Sequence, residues 1–168
     1  MRKIIIMIII SLMGLFFVCS CMQDMEPVEK GNIEATQKVL IAGTDSEFKQ
    51  NVVNKVIETL GTQDYYFKII GLNQLDKEET EPYGAILLIN SYIAGKIDRR
   101  VTQFLQNDPT NSKVIIFYTI GDENHPPSGK AKPDTNVDAI TSASLPNRID
   151  ERVDQLVTLI EERFQSSN

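Results

Sequence analysis

The stretch KVLIAGTDSEFKQ, residues 38–50, decides the reading of this chain. KVLIA (38–42) is apolar without alternation, as a strand buried on both faces requires. Gly43 to Ser46 then form a small polar loop. Beyond it Phe48, Val52, Val53, Val56, Ile57 and Leu60 recur at helical spacing, which predicts a helix to about Leu60. Thr44, Asp45 and Ser46 are candidate N-caps and Gly61 a candidate C-cap. A strand feeding a helix through such a turn gathers backbone N–H groups at the helix N-terminus, where an anion is favoured.

Outward from this unit the pattern repeats. YYFKIIG (65–71) reads as a second strand, and the charged 73–81 segment as a short or ragged helix stopped by Pro82. YGAILLIN (83–90) is the most apolar strand and is expected centrally. Ile97, Val101, Phe104 and Leu105 share a helical face that ends at the Asn107–Pro109 turn. KVIIFYTIG (113–121) is a fourth strand, and residues 121–136, with three prolines, read as a long loop. VDAIT (137–141) is a short fifth strand. Ile149, Val153, Leu156, Val157 and Ile160 mark a final helix.

Alternating β and α units with short connections predict an α/β, three-layer sandwich: a five-stranded parallel sheet in the order 2-1-3-4-5. Ligands of such sheets sit beyond the C-terminal strand ends, at the switch point between strands 1 and 3. That directs attention to loops 43–48, 90–95 and 119–136.

The N-terminus does not belong to this fold. Arg2 and Lys3 precede an apolar run from Ile4 to Val18, too short for a comfortable span of roughly 20 residues. Val18-Cys19-Ser20-Cys21 resembles the bacterial lipobox, with Cys21 in the lipidated place. The resemblance implies a signal peptide over 1–20, removed after Ser20, and diacylglycerol on the Cys21 thiol. It also implies an acylated (palmitate-type) new N-terminus, hence a lipoprotein anchored through membrane lipid at an extracytoplasmic face. An uncleaved membrane anchor and an ordinary signal peptide are the alternatives.

Residues 21–36 read as a flexible tether and 37–168 as the domain. The 168-residue chain carries 17 basic and 23 acidic residues. Without residues 1–20 the balance is 15 against 23, a net charge of −8. Such an acidic surface argues against nucleic acid and against electrostatic docking to anionic lipid. Beyond Cys21 there is no cysteine for a disulfide, metal or thiol nucleophile. His125, the single histidine, has no metal-ligand spacing, and Ser46 has no nucleophile-elbow context.

YGAILLINSYIAGKIDRRVTQFL (83–105) resembles the flavodoxin strand, "G-S-P-x-Y-x-G" loop and helix, with Asn90, Ser91, Tyr92, Gly95, Phe104 and Leu105 matching in kind. VIIFYTIGDE (114–123) resembles the strand and Gly-Asp loop beside the flavin, with Thr119, Gly121 and Asp122 in place. VDAITSAS (137–144) resembles a closing strand of that family. The likeness to a flavodoxin-type domain covers nearly all of 38–164.

Flavodoxins wrap the FMN phosphate with a T/S-x-T-G-x-T loop. The aligned stretch here is Thr44-Asp45-Ser46-Glu47-Phe48-Lys49. Thr44 and Ser46 keep the first and third hydroxyls; Glu47 replaces the glycine and Lys49 the last threonine. The resemblance implies FMN as cofactor, its phosphate held by Thr44 and Ser46. Ser91, Tyr92, Gly95, Thr119, Gly121 and Asp122 would line the ring, with no catalytic residue and no metal.

Two functions follow. One is FMN-based electron transfer with a redox protein partner at the membrane, in which the flavin carries the chemistry. The other is a non-catalytic binding or scaffold lipoprotein of the same fold that has lost FMN. A response-regulator receiver shares the strand order, but strand 3 ends at Asn90 where its phosphoacceptor aspartate would stand.

Overall fold

In a computed structural model the described residues are 23–93, 96–107, 111–121 and 137–166. Six strands build one sheet: β1 (Val28–Gly31), β2 (Gln37–Gly43), β3 (Tyr65–Gly71), β4 (Ala85–Ser91), β5 (Val114–Ile120) and β6 (Asp138–Ala143). They lie in the order β1-β3-β2-β4-β5-β6. Three helices complete the fold: α1 (Glu47–Leu60), α2 (Arg99–Asn107) and α3 (Ile149–Ser166).

The sheet corrects the expected count and order. It has six strands rather than five, because β1 pairs antiparallel with β3, Val28 opposite Ile69 and Gly31 opposite Tyr66. β1 lies inside the stretch read as a tether. Its sequence, VEKG, is mostly exposed, and charged side chains suit an edge strand that needs only backbone pairing. Such a strand looks like linker in composition. The other five strands run parallel to one another, and the chain reverses its direction of travel across the sheet between β2 and β4.

Alternation along the strands divides two apolar layers. Val39, Ile41, Phe67, Leu87, Ile89, Ile115 and Phe117 face α1 and α3, meeting Val52, Val53, Val56, Val153, Leu156 and Ile160. Leu40, Ala42, Ile86, Leu88, Ile116 and Tyr118 face the opposite layer, which α2 supplies with Val101 and Leu105. Leu75, in a 3-10 turn at Leu75–Lys77 that takes the place of the expected short helix, joins this second layer. Residues Ala85–Asn90 of β4 are all buried, in keeping with its place between β2 and β5.

The N-terminal segment is part of the body. The Met25 N–H donates to the Gly43 carbonyl at 3.0 Å and the Asp45 N–H to the Gln23 carbonyl at 2.6 Å. Asp24 and Thr44 form an isolated antiparallel bridge. Residues 23–25 therefore lie across the end of β2, directly over the loop that leads into α1. Residues 1–22, with Cys21, and 122–136, with Asp122 and His125, lie outside the described residues, as do Gly95 and residues 108–110.

Candidate functional site

β2, β4 and β5 end together, and each brings a hydroxyl to the same edge. Thr44 follows β2; Ser91 closes β4 opposite Thr119 of β5. Strand alternation puts Ser91 and Thr119 on the α1 and α3 side, the side of Ile89 and Phe117. Thr119 is in turn opposite Ser142 of β6, a buried hydroxyl that donates to the Ala143 carbonyl at 2.8 Å.

Lys49 ties these hydroxyls together. It sits in the first turn of α1 with only 2 % of its surface exposed. Its Nζ donates to Thr44 Oγ1 at 2.5 Å and to Ser91 Oγ at 2.8 Å. Ser91 Oγ and Thr119 Oγ1 are 3.1 Å apart, within hydrogen-bond reach. Among the described residues the ammonium has hydroxyl partners and no ion pair. Burial pushes its pKa down to about 8, against the pull of the Asp45 and Asp98 carboxylates.

The surrounding charges are organised on Arg100. Its guanidinium donates to Asp98 Oδ2 at 2.7 Å and, through Nε, to Asp98 Oδ1 at 3.0 Å. It also donates to Asp24 Oδ2 at 2.6 Å, which accepts the Asn73 N–H as well. The Arg100 hydrogen bonds hold the Asp98 carboxyl below its usual range despite burial. They also hold Arg100 above its own.

On the other face of the edge, Asn90 and Tyr118 lie opposite each other on β4 and β5. Both amide atoms of Asn90 and the Tyr118 hydroxyl are buried without a hydrogen-bond partner among the described residues. Burial raises the Tyr118 pKa above the ordinary phenol value.

Of the residues singled out for FMN, Thr44, Ser91 and Thr119 come together around Lys49. Ser46 is instead the N-cap of α1: its exposed side chain accepts the Lys49 N–H at 3.3 Å. Tyr92 is half-buried beside them, its N–H donating to the Thr119 carbonyl at 2.8 Å. Gly121 is exposed, and among the described residues nothing stands within 4 Å of where its Cβ would be. Gly95 and Asp122 lie outside the described residues, and so does Cys21.

Lys49 was legible only as the sixth position of the loop. Yet Val52, Val53 and Val56 follow it at three, four and seven residues, so helical spacing already puts Lys49 on the buried stripe. Asp24 had no such signal.

The loop does not fit an FMN phosphate in the manner the resemblance implies. Thr44 is fully buried and its hydroxyl holds Lys49. The Thr44 N–H donates to the Ile89 carbonyl, and the Asp45 N–H to Gln23. Glu47 occupies the glycine position, although its side chain is exposed at the helix start. An anion approaching Thr44 or the Asp45 N–H would have to displace the chain's own groups.

Among the described residues no helix is long and apolar enough to cross a membrane, and no group of three or more His, Cys, Asp or Glu side chains could hold a metal ion. No protein-family model matches the chain, and no curated protein matches it. Among solved structures, one match is described as "Structure of a flavodoxin from the domain Archaea". It has a TM-score of 0.49 and 15% identity, and covers 76% of this chain and 99% of that one. An "Alpha/Beta hydrolase fold protein of unknown function" matches with a TM-score of 0.37 and 16% identity, over 57% of this chain and 40% of its own length. The chain's own sheet, with its switch between β2 and β4 and helices on both faces, makes it an α/β protein of flavodoxin-like fold.

Proposed function

We propose that this protein is a lipid-anchored, extracytoplasmic domain of flavodoxin-like fold that binds a ligand or partner at the C-terminal edge of its sheet without FMN. The observation that carries this reading is the Lys49–Thr44 contact: the hydroxyl that would meet the phosphate is buried against the chain's own ammonium. The N-terminal segment laid over the same loop supports it. Anchoring rests on the Val18–Cys21 lipobox, with diacylglycerol on Cys21, and the net charge of −8 after processing leaves the lipid chains, rather than surface charge, to hold the membrane.

The test is direct. The full chain, purified in detergent, is incubated with FMN, freed of excess, and examined for a flavin spectrum and a change in melting temperature. Neither is expected. Intact mass of the membrane-extracted protein is expected to begin at Cys21 and to carry the lipid.

One observation favours the second reading, FMN-based electron transfer to a membrane partner. The Lys49 ammonium has no carboxylate at hydrogen-bond distance among the described residues, and a phosphate would balance it. FMN, when bound, supplies the redox chemistry itself. A retained flavin spectrum that Lys49→Met abolishes would establish this reading in place of the first.

A further inference from the structure

We propose that Ser91 is a covalent nucleophile with Lys49 as its general base, and that its substrates are electrophilic acyl compounds such as esters. The proposal rests on the reading that flavin does not fill this edge, and it adds a chemistry to it.

The geometry is that of an activated serine. Nucleophile and base are in hydrogen-bond contact, Ser91 Oγ to Lys49 Nζ at 2.8 Å. The base is oriented in turn by a third group, Thr44 Oγ1. That order of nucleophile, base and orienting group is the general signature of an activated hydroxyl, and a serine–lysine pair is a known form of it. Exposure runs in the required direction: Ser91 is half-buried at the open end of the sheet, while Lys49 behind it is closed off from water. Thr119 Oγ1, 3.1 Å from Ser91 Oγ on the other side, limits the rotamers open to the nucleophile.

A lysine works as a base only when it can lose its proton, which burial without an ion-pair partner favours. Among the described residues β4 offers Lys49 the Ser91 hydroxyl, which is in turn 3.1 Å from Thr119 of β5. Among the described residues the charged groups on the other elements around it are Asp45 in the preceding loop and Asp98 before α2, both of which favour the ammonium. Asp98 is already bound to Arg100, which also holds Asp24. Glu47, on α1 itself, is exposed. The balance leaves Lys49 able to release its proton near pH 8.

In the reaction the neutral Lys49 amine accepts the Ser91 proton as Oγ forms a bond to the acyl carbon. The bond to the leaving alkoxide breaks, and the alkoxide takes its electron pair and the proton from Lys49. Water, deprotonated by the same amine, then attacks the acyl–Ser91 ester and releases the acid, restoring the serine.

A fluorophosphonate reports on the first step. The Ser91 Oγ–P bond forms, the P–F bond breaks, and fluoride leaves. The full chain in detergent is labelled across pH 6 to 10 and read by intact mass and peptide mapping. One adduct is expected, on Ser91, with a rate that climbs with pH and levels above about pH 8, the Lys49 value. Ser91→Ala is expected to lose the adduct. Lys49→Arg keeps the charge but cannot give it up, and Lys49→Met keeps the volume. Each is expected to slow labelling by about 100- to 10,000-fold, the usual worth of a general base, with folding checked by melting temperature.

No adduct on the wild type at pH 9, an adduct elsewhere, or unchanged labelling of either Lys49 variant would overturn the proposal. Prior incubation with FMN separates the two readings. Protection of a labelled Ser91 by FMN would overturn the flavin-free function and leave the nucleophile standing. Absence of labelling without FMN would overturn the nucleophile alone.

Discussion

Lys49 Nζ donates to Ser91 Oγ at 2.8 Å, joining the first turn of α1 to the end of β4 across 42 positions of sequence. With Thr44 on its other side, the ammonium is solvated by side-chain hydroxyls in place of water. Two hydroxyls, Thr44 just after β2 and Ser91 at the end of β4, thus meet one cation, and Thr119 of β5 joins them through Ser91. The height at which α1 docks on the sheet is what lets them do so.

That buried cation makes stability depend on pH. Lys49 titrates near 8 in the folded chain and near 10.5 when exposed by unfolding. Between those values the unfolded chain holds a proton that the folded chain has released, so stability rises with pH. Urea unfolding of the wild type and Lys49→Met at pH 7.5 and 9.5 isolates this contribution. The difference between them is expected to shift in favour of the wild type by about 2 kcal/mol. A pH-independent difference would mean that Lys49 is not held in low dielectric.

Gly31 and Gly61 both have positive φ, 91° and 83°, but only Gly31 is crowded. A Cβ there would stand 2.2 Å from the Tyr65 carbonyl oxygen, whereas one at Gly61 meets nothing within 4 Å. Gly61→Ala is expected to cost about 1 kcal/mol for the backbone conformation alone. Gly31→Ala adds the clash and is expected to cost about 2–3 kcal/mol, measured by urea unfolding. Equal costs would show that β1 is not seated against β3.

The Arg100 fork pins the N-terminal segment through Asp24. Arg100→Gln is expected to cost about 1–3 kcal/mol by leaving Asp24 and Asp98 without their charged partner. Hydrogen exchange should quicken at the Met25 and Asp45 amides, which depend on that segment lying over the loop. Unchanged exchange at both would show that the segment is held without the ion pair.

Glu47→Gly places the residue found in flavodoxins at the fourth loop position, yet Thr44 and the Asp45 N–H remain engaged. FMN retention is therefore expected to stay absent in the variant. The helix should lose about 1 kcal/mol through a glycine and a missing first-turn acid. A flavin spectrum gained by this single change would show that Glu47 alone closes the site.

Much of the fold is written locally. Runs such as AILLI and VIIF are apolar on every residue, as strands covered on both faces must be, and Val52, Val53, Val56 and Ile57 mark their helix by spacing alone. β1 is not written this way. VEKG becomes a strand only because β3 has an open edge at that point. Thr44, Ser91 and Thr119 were legible as loop hydroxyls, while the centre they surround was not. Lys49 lies on the buried stripe of α1, but a lysine on such a stripe gains its meaning from what lies beneath it.

The sequence by itself determined the αβ alternation, the buried strands and the helix faces, because each depends on residues close together in the chain. The tertiary structure alone decided the sixth strand, the N-terminal segment laid over the β2 loop, and the Lys49–Thr44–Ser91–Thr119 cluster. Those depend on the register between strands and on the docking height of a helix, which bring together side chains 28 to 76 residues apart. A buried ammonium is tolerated only where such distant oxygens arrive together, and no local pattern records their arrival.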